Sequence, residues 1–401
     1  MRILVQNYRW VILSLAWFAY LQSFFHRMAF PPLLPPIMKD LDLTFTMAGS
    51  FMSAFLVAYA AFQFPSGYLA DRFKYQSYAP LSLAILGVAS VCFGLIANFS
   101  QGILVRAIMG IGGAMVYVPG MRLLANWFSR KERGTAIGIY TTALGAGSVL
   151  AMILMPILQV SVGWRMSFLL VAFPTFLAAI LCKLLVKSEP TEIGLRRIES
   201  PKGEGQANAS EAGLRAILLG RNMWLMNMSM FLYAGAFYGF YTFAPAYLSK
   251  VLQGSLIYAG TILGLSTGLL AAGIVVFGWI SDKIGQRKAV YVSGEVAVGI
   301  CFALVAIVRE SSTLLILILL AGWFMGSEIL GYVLASEFHS AAVAGKVTGF
   351  VSLFSHMGGV ILPIIVGFIV DSYASYIIAF IFISAILFVG AILGAMVRER
   401  R

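Results

Sequence analysis

The chain has 401 residues, 60% of them hydrophobic and only 11% charged, with a formal net charge of +12 and a mean hydropathy of +0.91. A soluble domain carries about 25% charged residues, so the composition excludes a soluble enzyme or nucleic-acid-binding domain and describes an all-α polytopic membrane protein. Basic residues gather on the cytoplasmic loops of such proteins, so the positive balance says little about a partner.

Twelve spans are expected, at about 9–33, 47–69, 79–97, 101–126, 135–158, 166–186, 222–248, 257–280, 289–308, 313–336, 346–369 and 375–397. The first is too long for a cleavable signal peptide, and others follow it. It contains Phe24-Phe25-His26-Arg27-Met28-Ala29-Phe30. An arginine at a helix centre costs about 2.5–3.5 kcal/mol to insert, so Arg27 must be hidden from lipid in a polar interior or a water-filled cavity. Its planar fork of donors suits a carboxylate or a phosphate. The alternatives are an ion pair with Glu328 or a helix-packing contact. With the N-terminus inside, 21 of the 28 Lys and Arg fall on cytoplasmic segments and four on outer loops, while Arg27, Arg106 and Arg122 lie within spans. That bias expects both termini to be cytoplasmic, and the lean loops fit a cell inner membrane.

The polar stretch Lys187–Arg221 reads as a flexible linker between an N-terminal bundle, residues 1–186, and a C-terminal bundle, residues 222–401. The halves repeat. Gly67-Tyr68-Leu69-Ala70-Asp71-Arg72 follows the second span, and Gly278-Trp279-Ile280-Ser281-Asp282-Lys283 follows the eighth, 211 residues later. The same offset relates Gly134 to Gly345 and Gly138 to Gly349. A constant offset argues for duplication, which transporter folds often show. Cys92, Cys182 and Cys301 all sit in apolar segments and are expected to be packing thiols.

These blocks resemble the major facilitator superfamily. The Gly67–Arg72 block is similar to its G-x-L-x-D-R signature, and Arg106 with Gly110 and Gly112 is similar to its R-x-x-x-G-x-G element. The resemblance implies two pseudo-symmetric six-helix bundles and alternating access. A narrower resemblance is to the anion:cation symporters and the organophosphate transporters. It rests on Arg27 with Pro35, Arg122 with Trp127-Phe128 and Glu132-Arg133-Gly134, Gly163-Trp164-Arg165, and Pro190 with Gly194. His26 and Ala29 stand where the symporters' pattern has Asp and Asn, and their acidic residue is absent around Gly113. The glycine-rich, proline-containing motif of drug exporters is also missing from the fifth span.

The resemblance implies that spans 1, 4, 7 and 10 line the cavity. The 211-residue offset relates Arg27 to Tyr238 and Tyr117 to Glu328, so these four are expected around a substrate, with Tyr241 and His356 as further candidates. Glu328, able to exchange a proton, is the expected carrier of a coupling proton, and His26 is a candidate relay. Either histidine could instead be a neutral packing group. Glu295 is expected to be protonated or to snorkel. Asp71, Arg72, Asp282 and Lys283 are expected gate residues, and Arg106 a gating or structural residue bonded to backbone at the bend of its helix. No nucleotide-binding motif, metal-ligand cluster or catalytic constellation occurs, so neither cofactor nor enzyme activity is expected. The expected function is secondary transport by a monomer in the bilayer: proton-coupled uptake of a small organic anion, a carboxylate. The rivals are an anion exchanger or exporter, including phosphate-ester exchange, and a non-transporting ligand sensor.

Overall fold

The computed structural model describes residues 2–194, 220–252, 255–338 and 344–398. Every regular element among them is helical. In chain order these are α1 (Arg2–Met28), α2 (Leu34–Leu41), α3 (Phe45–Arg72), α4 (Tyr75–Gly94), α5 (Phe99–Trp127) and α6 (Arg130–Leu185). After the linker come α7 (Arg221–Val251), α8 (Leu256–Ile284), α9 (Arg287–Ile307), α10 (Ser311–Met325), α11 (Ile329–Glu337), α12 (Ala344–Tyr373) and α13 (Tyr376–Ala395). Nine helical stretches among the described residues are long and apolar enough to cross a membrane. One of them, within α6, is two spans joined at Gly163, whose φ of 81° and ψ of 160° interrupt the helix. Only glycine adopts such angles without strain. The two residues that follow brace the turn: the Trp164 indole and the Arg165 guanidinium both bind Asp40, the latter at 2.8 Å.

The chain forms two compact units, Met1–Leu41 with Ala54–Lys202, and Asp42–Ser53 with Gly203–Arg401. Within each unit small residues let helix backbones meet, as they do where lipid tails offer no hydrophobic drive. In the first, a Cβ added at Gly110 of α5 would lie 2.2 Å from the Phe55 carbonyl oxygen of α3. Serines of α4 bridge two other seams, Ser82 donating to the Gly112 carbonyl of α5 at 2.6 Å and Ser90 to the Phe168 carbonyl of α6 at 2.8 Å. Large apolar side chains such as Phe173 and Val275 point outward and suit lipid.

Three expectations change. The first span ends at Met28 rather than 33, because Pro31 and Pro32 open a short 3₁₀ turn and prolines cannot continue an α-helix. The tenth span is not one helix. It breaks after Met325 into a 3₁₀ turn, Gly326–Glu328, before resuming as α11. Backbones crowd this point from both sides: a Cβ at Gly326 would lie 2.3 Å from the Gly273 carbonyl carbon of α8, and one at Gly294 of α9 would lie 2.0 Å from the Ser327 hydroxyl. Third, the linker is not free from residue 187 onward. The Trp127 indole donates to the Lys187 carbonyl at 2.8 Å, Asn126 to the Ser188 carbonyl at 3.2 Å, and Lys74 pairs with Glu192 at 3.3 Å. The rest of the expected linker, residues 195–219, lies outside the described residues. Cys182 and Cys301 are buried free thiols, whereas Cys92 is exposed.

The second unit contains a helix cap supplied from far along the chain. The carboxylate of Asp371, near the end of α12, accepts the Phe45 and Thr46 amides at the start of α3, each at 2.8 Å. These amides are among the donors a helix start leaves unmet, and the negative charge suits the positive end of the helix dipole. Asp371→Ala is therefore expected to cost about 1 kcal/mol, read as a lower melting temperature of the detergent-solubilised protein. An unchanged melting temperature would show that water serves these amides equally well.

Candidate functional site

Arg27 sits on the last turn of α1 and is only 2% exposed. Its guanidinium carbon lies 4.0 Å from the ring centre of Tyr59, 4.3 Å from that of Phe24 and 5.5 Å from that of Phe55. Rings attract a cation and help to offset its loss of water. A guanidinium stacked on aromatic rings still has its donors in the plane of the fork. On α1, Arg27, Phe24 and Tyr20 fall on one helical face, and Tyr20 meets Phe24 edge-on at 5.3 Å. Tyr117 of α5 is half-buried and packs on Tyr20 at 5.1 Å. Tyr140 of α6 stacks on Tyr20 at 4.9 Å. Arg27 and Tyr117 thus belong to one aromatic patch of the first unit. Sequence reasoning missed Tyr59, Phe55 and this patch, because aromatic residues in a span carry no signal of which ring meets which charge.

Arg106 lies deeper and is fully buried. It donates to the His26 carbonyl at 3.3 Å, and its guanidinium lies 4.8 Å from the other end of the same cluster, the Phe55 ring. This bond is to backbone near the end of α1. The first unit therefore buries two cations. Among the described side chains, its carboxylates Asp40, Glu132, Glu189 and Glu192 fall at helix ends or beyond them. A side chain at Gly113, near where the symporters carry their helix-4 acid, would be tightly placed. Gly113 faces α1 and α3 so closely that a Cβ would lie 3.0 Å from the Ser23 hydroxyl oxygen and 3.3 Å from the Phe55 ring.

His26 points away from Arg27. Fully buried, it bonds through Nε2 to the Thr175 hydroxyl of α6 at 2.8 Å, and Thr175 donates to Gln22 at 3.0 Å. This is the packing alternative, and His26 is withdrawn as a proton relay. Tyr241 is also redirected: it is 1% exposed and its hydroxyl meets Ser266 of α8 at 2.7 Å, so it is withdrawn as a substrate contact. His356 is half-buried, and its Nδ1–H donates to the Ser352 carbonyl one turn back at 2.7 Å.

In the second unit Glu328 is half-buried and closes the 3₁₀ turn between α10 and α11. The turn is pinned from α7, where Tyr233 donates to the Met325 carbonyl at 2.6 Å. Tyr238 is half-buried further along α7, edge-on to Phe237 at 5.0 Å. Glu295 does not snorkel. It is 0% exposed and accepts the Tyr291 hydroxyl at 2.7 Å, with Ser229 of α7 at 3.3 Å. Among the expected gate residues, Arg72 covers the Tyr68 ring at 4.6 Å and Lys283 the Trp279 ring at 5.0 Å. Asp282 pairs with Arg287 at 3.0 Å, and Arg287 reaches Glu337 at 2.8 Å. The Asp71 side chain lies outside the described residues.

The sequence matches the Major Facilitator Superfamily over residues 16–285 and 254–401. The chain belongs to that superfamily. It is 27% identical to the "Probable L-galactonate transporter" of Escherichia coli strain K12 over 383 residues, 89% of this chain and 82% of the relative. It is 26% identical to the "Membrane sensor protein UhpC" of Salmonella typhimurium strain LT2, over 86% of this chain and 82% of the relative. Its fold superposes on a bacterial homologue of the human lysosomal transporter Spinster with a TM-score of 0.83 at 16% identity, covering 98% of this chain and 97% of that one. A major facilitator fold, all-α and membrane-embedded, accounts for the two units and for the repeat.

Proposed function

We propose that this protein is a secondary active transporter that takes up a small organic anion, a carboxylate, by alternating access and with a coupled proton. The observation that carries the reading is Arg27, buried on the first span with aromatic rings stacked on its guanidinium. A relative named as a galactonate transporter agrees in the charge of its cargo. Arg27 neutralises the carboxylate, Tyr117 and Tyr238 orient the substrate, and Glu328 carries the proton. His356 is a further polar contact. Asp71, Arg72, Asp282 and Lys283 act as inner-gate residues, and the 21 to four distribution of Lys and Arg supports cytoplasmic termini.

Glu328→Gln tests the coupling. The amide keeps the shape and cannot lose or gain the proton, so proteoliposomes should lose accumulation driven by an inward proton gradient and retain counterflow of labelled substrate. Retention of gradient-driven accumulation by the variant would remove Glu328 from the proton path. A second reading is favoured by the likeness to a membrane sensor: a protein that binds the anion and moves none. Stabilisation by a carboxylate with no flux or counterflow in proteoliposomes would select it.

A further inference from the structure

The outward face of α9 carries a groove of about 620 Å³ that the transport reading leaves unused. Ala289, Ser293 and Ala297 line it at four-residue spacing, on one helical face. A column of small residues usually seats the backbone of a neighbouring helix. Here the column stays open: Ala289 and Ser293 are exposed and Ala297 is half-buried, beside the exposed Ala395 of α13. The Ser293 hydroxyl turns back on its own helix and donates to the Val290 carbonyl at 3.0 Å. The wall therefore suits an apolar occupant.

One end of the groove is polar. Lys288 lines it there, and its ammonium donates to the Val397 carbonyl, just beyond α13, at 3.2 Å. Arg398 follows and is exposed. Residues 286–289 and 396–401 carry five basic residues, Arg287, Lys288, Arg398, Arg400 and Arg401, against one acid, Glu399. Arg287 pairs with Asp282 and Glu337, so the charge offered to the groove comes from Lys288, with Arg398 adding to it. From Lys288 the groove runs along α9 to Ile300, about 18 Å of helix, while one leaflet supplies about 15 Å of hydrocarbon.

An apolar slot one leaflet long with a cation at its head matches an amphiphile with an anionic head and an acyl tail. A second copy of the chain fits less well, because a two-fold axis along the membrane normal would set the same basic end against itself. On the reading that this end is cytoplasmic, it meets the leaflet that holds the anionic lipids. We infer that the groove binds an anionic phospholipid, its phosphate at Lys288 and one acyl chain along Ser293 and Ala297 to Ile300.

The test titrates the purified full-length protein in a neutral detergent with dioleoylphosphatidylglycerol, dioleoylphosphatidylcholine and glycerol phosphate, bound molecules being counted by native mass spectrometry. Wild type is compared with Lys288→Gln and Ser293→Phe. Phosphatidylglycerol should bind wild type about fivefold more tightly than phosphatidylcholine, the scale of one cation beside an anionic headgroup, and glycerol phosphate should not bind. Lys288→Gln should remove the preference. Ser293→Phe fills the slot and should weaken both lipids about tenfold, the loss of two buried methylenes. Equal binding of the two lipids by wild type, or glycerol phosphate binding as tightly as lipid, overturns the inference. So does a preference that survives in Lys288→Gln, which puts the site elsewhere on a basic protein. A wild-type dimer that Ser293→Phe splits, with lipid binding unchanged, gives the face to a second copy instead. Phosphatidylglycerol with a photoreactive acyl chain locates the site without any variant. Residues 289–300 should be labelled in wild type, and labelling confined to other helices overturns the inference even if a variant does not fold.

Discussion

Arg27→Ala should lower affinity for the proposed anionic substrate by about two to three orders of magnitude in a protein that still folds. The estimate rests on removing one partner of a charge-assisted, two-bond contact in a dry site, about 3–4 kcal/mol, at 1.4 kcal/mol per tenfold. Folding should suffer little. The variant loses the contacts with Phe24 and Tyr59, but it also loses the cost of holding a charge away from water. Arg27→Lys separates charge from geometry. An ammonium keeps the charge and gives up both the planar fork and the stacking, so it should recover only part of the affinity. Equilibrium binding to protein in detergent reads all three forms. Equal affinity in wild type and Arg27→Ala would make Arg27 a packing residue and end the anion reading.

Gly326→Ala should destabilise the second unit by about 3 kcal/mol, the upper part of the range for forcing a methyl into a packed interior. The atoms in the way are the Gly273 carbonyl carbon and the Ile274 nitrogen, at 2.3 and 2.4 Å from the new Cβ. Backbone atoms cannot turn aside as a side chain would, so α8 and the 3₁₀ turn must part. Glu328 ends that turn, and on the proposed role of Glu328 its displacement should abolish the proposed proton-driven uptake in whatever protein survives purification. Gly278→Ala is the control, because a Cβ there meets nothing within 4 Å and alanine favours the helix. The comparison is a melting curve for each variant beside wild type. Similar curves for the two would show that the backbones at Gly326 part without penalty.

Much of the architecture is legible in the sequence, because a lipid core allows few solutions. Backbone groups in hydrocarbon must be satisfied within a helix, so each apolar run of about 20 residues is a span, and Gly163 is visible as the turn between two of them. The duplicated Gly67–Arg72 and Gly278–Lys283 blocks point to the superfamily, and the cost of a charge in lipid singles out Arg27 and Glu328 before any coordinates. Direction around a helix is another matter. His26 and Arg27 are neighbours in sequence, about 100° apart on the helix, and only packing sends one to Thr175 and the other to Tyr59. Tyr238 and Tyr241, three residues apart on α7, likewise differ in that the Tyr241 hydroxyl meets Ser266. The break before Glu328 comes from glycines on α8 and α9 meeting the tenth span, contacts between segments 30 or more residues apart, which no local pattern encodes. What hydrophobicity and charge impose is a list of spans and of residues too costly to leave in lipid. Which of those residues share a surface follows from side-chain directions and backbone approach, and these exist only once the helices are packed.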